Sequence, residues 1–151
     1  VKGNGDVSFQ VGNWPADYKG SLDALEHALR NTLETLINSG VNVLLVAPVP
    51  EPYFNAPHCL YRKSENECQY SRQRVDERRK ETLLRLQRAS AGLKGVTLLD
   101  PISFFCDSAA CRVGDGELSY YADTDHLTVA ASSRIGRAFE PEFSRIFYDY
   151  D

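Results

Sequence analysis

Apolar residues recur along the chain in two rhythms. Leu22, Leu25, Leu29, Leu33, Leu36 and Ile37 follow a period close to 3.6, which predicts a helix capped by Ser21 and stopped by Ser39-Gly40. Val41–Ala47 then runs without a polar break except Asn42, the pattern of a strand buried on both faces, and Pro48 and Pro50 end it. From about Gln73 to Ser90 the helical period returns. Val75, Thr82, Leu83 and Leu86 mark the inner face, and the dense charge on the other sides reads as a solvated surface. Gly92 and Gly95 bracket its end, and Val96–Leu99 predicts a second buried strand closed by Asp100-Pro101. Leu118–Tyr121 suggests a short strand. Thr128 is placed to cap a last helix bearing Ala131, Ile135, Ala138 and Phe139, which Pro141 interrupts or restarts before Phe143, Ile146 and Phe147. Between the first strand and second helix, Pro48 to about Ser71 reads as a long loop with four prolines.

The order is α/β, and strands joined through a crossover helix should be parallel. Residues 1–19 form an irregular lead-in, and 20–151 form one helix-strand-helix-strand-helix region. Two strong strands are too few, because a parallel sheet normally has about four to six strands with both faces covered. The expectation is the C-terminal part of one larger domain, its other strands preceding Val1 or coming from another chain.

Composition narrows the class without changing it. Of 151 residues, 42% are apolar and 25% charged, a globular balance. The net charge of −4 and the lack of a basic, aromatic-interleaved stripe argue against nucleic acid as partner. The apolar run at Val43–Ala47 is far too short to cross a bilayer, and no signal peptide opens the chain. Four cysteines, Cys59, Cys68, Cys106 and Cys111, allow three pairings. Their even number and close spacing favour two small-loop disulfides and an oxidising compartment. Four free thiols, or a metal site without CxxC pairs or interleaved histidines, are the alternatives.

The segment Tyr121-Ala122-Asp123-Thr124-Asp125-His126-Leu127-Thr128 holds the chemistry. An Asp three residues before a His, just ahead of a helix cap, can set a carboxylate beside the imidazole, fixing its tautomer so that it serves as general base. This D-x-x-H block, followed by a small-residue helix, resembles the last conserved block of the SGNH (GDSL-like) hydrolase superfamily. The run Val43-Leu44-Leu45-Val46-Ala47-Pro48-Val49-Pro50-Glu51, the Pro-rich loop reaching Cys59, and Leu98-Leu99-Asp100-Pro101 with a cysteine pair resemble one branch of it. That branch is the periplasmic SGNH domain fused to membrane acyltransferase family 3, whose members O-acylate cell-surface polysaccharides.

The resemblance, from about Ser21 to Phe147, implies a flavodoxin-like, three-layer fold with a parallel sheet, only its C-terminal part being present here. It implies acyl transfer or ester hydrolysis on glycan hydroxyls, with Asp123 as triad acid and His126 as general base. Asp125 would be a neighbour. It implies no metal or other cofactor, an extracytoplasmic place within a larger membrane protein, and an acyl donor delivered by a fused or partner membrane domain. The family's Gly-Asp-Ser is missing. The nearest string, Gly5-Asp6-Val7-Ser8, has one residue inserted and no apolar strand before it, so the nucleophile is expected upstream of Val1. Gly3-Asn4 is too weakly placed to be assigned to an oxyanion hole.

If the domain closes as the resemblance implies, the loop after the first strand lies at the C-terminal edge of the sheet, where α/β folds bind ligands. Pro50, Tyr53, Phe54 and His58 then become candidates to shape a substrate cleft. His58 also reads as an ordinary loop histidine, His27 as a surface one, and Trp14 and Tyr18 as packing anchors. Ser103 and Ser119 lack a nucleophile-elbow setting. Against the enzyme stands a second class, a non-catalytic glycan- or partner-binding module keeping the Asp–His pair as a structural hydrogen bond. A partial domain would also expose sheet edge, so self-association or pairing with the missing N-terminal part is expected.

Overall fold

The structure, a computed structural model, describes residues 18–148, with side chains from 19 to 146. Gly3-Asn4, Ser8, Trp14 and the ends of the predicted lead-in and tail lie outside the described residues. Among the described residues six α-helices and four strands follow in chain order: α1 (Tyr18–Asn38), β1 (Val43–Val46), α2 (Ala56–Arg62), β2 (Tyr70–Ser71), α3 (Arg72–Ser90), β3 (Val96–Leu99), α4 (Ile102–Phe105), β4 (Ala110–Cys111), α5 (Val129–Ala138) and α6 (Glu140–Tyr148). A short 3₁₀ turn, Glu65–Cys68, precedes β2. β1 pairs with β3, and β2 pairs antiparallel with β4. Val43 N donates to Gly95 O and Ala47 N to Leu99 O, a constant offset that makes the β1–β3 pair parallel. The fold is α/β.

Among the described residues the chain divides into two compact units, 18–45 with 81–98 and 46–80 with 99–148. In the first, α1 begins at Tyr18, so Ser21 does not cap it but is buried inside the helix. The predicted stop at Ser39-Gly40 is a Schellman turn. Gly40 N donates to Ile37 O and Val41 N to Leu36 O, and Gly40 takes φ +79°, a value that favours glycine. The leucine stripe is only partly covered. Leu33 is 2% exposed, but Leu25 is 47% and Leu36 37%.

The strands depart from expectation in the same way. Val43, Leu44 and Leu45 are half-buried, and so are Val96, Thr97 and Leu98. Among the described residues no further strand flanks the β1–β3 pair, so a run composed for double-sided burial is left partly open. Charge supplies part of the cohesion. The buried Arg85 guanidinium meets Glu26 and Glu81 at 2.8 Å each and also Asp23. Arg30 donates to Ala91 O at 2.7 Å, satisfying a carbonyl beyond the end of α3.

The second unit holds the dense core. Phe105, Tyr121, Val113, Val75, Ala56, Ala131, Cys68 and Cys111 are buried together. The chain forms disulfides Cys59–Cys68 and Cys106–Cys111. The span read as one long loop contains α2, the 3₁₀ turn and β2. Asn55 starts α2 by accepting from His58 N at 2.8 Å, and Pro57 sits in its first turn, where a missing N–H costs nothing. Proline density concealed this short helix. The predicted strand at Leu118–Tyr121 does not form. Single bridges, Gly114 with Ser119 and Tyr121 with Leu127, hold that segment instead. Thr128 caps α5, its hydroxyl accepting from Ala131 N, and Pro141 falls in the first turn of α6, restarting the helix.

Candidate active site

The D-x-x-H block is the tip of a hairpin-like loop. Thr128 N donates to Tyr120 O at 2.9 Å and Ala122 N to His126 O at 2.8 Å, so the backbone closes on itself before α5 begins. Thr128 Oγ1 adds a bond to Ser119 O at 3.0 Å. Within the tip, Asp123 Oδ1 accepts from Asp125 N at 3.0 Å and His126 N at 2.8 Å. Its Oδ2 lies 2.9 Å from His126 Nδ1. The aspartate is thus held by the backbone of the histidine it orients. A carboxylate only accepts, so Nδ1 bears the proton and Nε2 presents its lone pair. The imidazole side chain is 76% exposed, and among the described residues no hydroxyl bonds it.

The charges agree with this geometry. The two backbone N–H groups and then the imidazole hold the Asp123 carboxyl far below the usual carboxylate range. His126 is raised by its hydrogen bond to Asp123, by that carboxylate's charge and by Asp125, with Glu51 adding a smaller pull. Asp123, Asp125 and His126 bring one potential metal-ligating atom each within 4.8 Å of one another. Both oxygens of Asp123 are already engaged within the loop, which suits orientation of the imidazole better than coordination.

Beneath the tip lies a rigid floor. Tyr121, fully buried, donates its hydroxyl to Pro50 O at 2.6 Å and pairs with Tyr70 Oη at 3.0 Å. Burial pushes the Tyr70 phenol up to about 12 and Tyr121 higher still, so both are neutral donors at ordinary pH. Ala56 N donates to Asp123 O at 3.3 Å. These bonds fasten the loop after β1 to the Asp–His tip at two points. Arg79, 8% exposed, joins the loops after both parallel strands, donating to Pro48 O at 2.9 Å and to Asp100.

The four candidate cleft residues take different places. Pro50 is buried, and its carbonyl is used by Tyr121, so it supports the site from below. Tyr53 and Phe54 stand edge-on to Tyr70 at 6.2 and 6.3 Å, and the Arg74 guanidinium lies 4.1 Å over the Tyr53 ring. His58 is exposed on α2 and lines a groove with Phe54. Sequence reasoning missed Tyr121, Tyr70, Glu51 and Arg79. Tyr121 stood inside the predicted strand, adjacent to the block, and that position was its only signal. Arg79 was lost in the charged run of α3.

A carboxylate-oriented histidine on a fixed loop of an α/β fold has the geometry of a general base. The family model described as "SGNH domain (fused to AT3 domains)" matches residues 2–141, and the chain belongs to that family. Neither the curated proteins nor the solved structures compared with the chain gave a match. The family is generally enzymatic, with hydrolase or acyltransferase-type activity. The two disulfides fit an oxidising compartment. No described helix is long and apolar enough to cross a membrane.

Proposed function

We propose that this chain supplies the acid–base half of a Ser-His-Asp site that transfers acyl groups to, or removes them from, glycan hydroxyls at the cell envelope. The observation behind it is the 2.9 Å contact between Asp123 Oδ2 and His126 Nδ1, made by a carboxylate already fixed by two backbone N–H groups. His126 Nε2 takes the proton of a nucleophilic serine as that oxygen attacks the acyl carbonyl. The proton passes to the leaving oxygen as the acyl-serine forms. In the second half, Nε2 deprotonates the glycan hydroxyl, or water, and returns the proton to serine as the ester transfers. Asp123 stabilises the imidazolium in both halves.

The serine is supplied from sequence N-terminal to Val1 in the parent protein. No Gly-Asp-Ser occurs in the chain, and no described hydroxyl bonds His126. Tyr53, Phe54 and His58, on the segment fastened to the Asp123 loop, form the substrate side. The family's fusion to AT3 domains supports a membrane-embedded acyl donor and an extracytoplasmic, periplasmic place. The half-open strand pair supports pairing with an upstream segment or a second copy, which sedimentation tests: a compact, stable monomer contradicts it.

Labelling with a serine-reactive fluorophosphonate, read by intact mass, tests the mechanism. The chain is compared with the protein extended upstream in its parent gene. The reading expects the extended protein alone to label, and His126→Ala to abolish it. Labelling of the shorter chain would place the nucleophile within it. Labelling of neither would put the non-catalytic glycan- or partner-binding module in its place.

A further inference from the structure

The short surface helix α2, seven residues long, is tied at its start, middle and end. The Asn55 cap starts it, the Cys59–Cys68 disulfide ties its middle, and Lys63 N closes it onto Cys59 O at 2.9 Å. Its first residue, Ala56, donates to the carbonyl of Asp123. What it presents is therefore fixed with respect to the Asp–His tip.

One flank is a groove of about 390 Å³ with Phe54 and Cys59 as apolar lining and His58, Arg62 and Lys63 as basic groups, a size suited to a small ligand. The acid in this groove is Glu67, which is already bonded to Ser64 N at 3.1 Å and Ser64 Oγ at 2.7 Å. Arg62 makes no hydrogen bond or ion pair among the described residues, and α2 contains no acidic residue in a chain of net charge −4. The other flank, a groove of about 470 Å³, is lined by Tyr61, shares Lys63 and carries two acids, Glu65, which accepts from Gly116 N, and Glu117, which accepts from Arg134 at 3.0 Å. Tyr61 is 88% exposed, the most exposed large apolar side chain among the described residues, and its ring offers a flat face of the kind on which a pyranose stacks.

We propose that α2 is the docking element for an anionic sugar of the acceptor glycan, its carboxylate or phosphate taken by Arg62 with Lys63 and His58, and a neighbouring ring stacked on Tyr61. The inference rests on the acyl-transfer reading and adds to it the charge class of the acceptor. An arginine fork without a protein partner is suited to a planar or tetrahedral anion. The apolar lining accepts the carbon face of the sugar.

Calorimetric titration of the parent protein with three probes tests this: a uronate trisaccharide, a sugar monophosphate and a neutral trisaccharide. At least one anionic probe should bind about tenfold more tightly than the neutral one, and binding should weaken as salt rises. The tighter of the two identifies the source of the anion. Arg62→Gln should weaken it about tenfold, with part restored by Arg62→Lys. Tyr61→Ala should weaken the trisaccharide more than the monosaccharide. Equal binding of neutral and charged probes, no binding of any probe, or indifference to Arg62→Gln would each overturn the proposal. Fluorophosphonate labelling reads the acyl-transfer claim separately. Labelling without anion preference removes only this inference, whereas anion preference without labelling leaves a sugar-binding helix on a non-catalytic module.

Discussion

The two units are held together by different means. In residues 46–80 with 99–148, two disulfides and a cluster around Phe105, Tyr121 and Val113 fix even the irregular segments. In 18–45 with 81–98, the strands are half-buried, Leu25 and Leu36 face outward, and Arg85 gathers three carboxylates. The Asp123–His126 pair lies wholly in the unit of 46–80 with 99–148. A loop that must hold a carboxylate 2.9 Å from an imidazole needs a floor that does not move. The unit of 18–45 with 81–98 has the apolar composition of a sheet core without enough of a sheet, among the described residues, to bury it.

Truncating the floor should break this contrast most severely. Tyr121→Ala removes a fully buried ring and two hydroxyl contacts, and should cost about 3–5 kcal/mol in denaturant melts. Leu25→Ala, at 47% exposure, should cost under about 1 kcal/mol. If the two cost the same, the units do not differ as described. Removing the Cys59–Cys68 bridge, which closes a separation of nine residues, should cost about 2–3 kcal/mol. Hydrogen exchange should rise in α2 and the adjoining loop first.

Arg85→Met should cost about 1–2 kcal/mol, because three partly exposed carboxylates lose their common partner. That loss should shrink at high salt, whereas the Tyr121 effect should not. Thr128→Ala should cost about 1 kcal/mol from the lost α5 cap. Its thermal shift should be accompanied by loosening of the Tyr120–Thr128 segment.

Regular periodicity made the helices α1 and α3, both parallel strands and the Thr128 cap legible, because each rests on local spacing. The Asp123–His126 contact was legible for the same reason, since it is made within one turn of loop. What escaped depended on distant partners. Tyr121 meets Pro50 and Tyr70 across large sequence separations, and Arg79 meets Pro48 and Asp100 likewise. No local pattern marks such pairs. The helix α2 escaped because prolines and cysteines mask the helical period over its seven residues. The strands' partial exposure escaped because apolar runs report what a segment is composed to bury, not what is there to cover it.

The central claim is that Asp123 holds His126 as an oriented, protonatable base. Folding raises His126, so its contribution to stability is present below its unfolded value of about 6.5 and is lost as pH climbs through the raised value. Asp123 is lowered, so its contribution is present above about 3.8 and is lost as pH falls through the depressed value. Nuclear magnetic resonance titration of the His126 ring in wild type and Asp123→Asn measures the coupling directly. The account predicts a midpoint above about 6.5 in wild type, an Nδ1–H tautomer in the neutral form, and a midpoint moving back down in Asp123→Asn. A midpoint at the ordinary value, unmoved by the substitution, would contradict it.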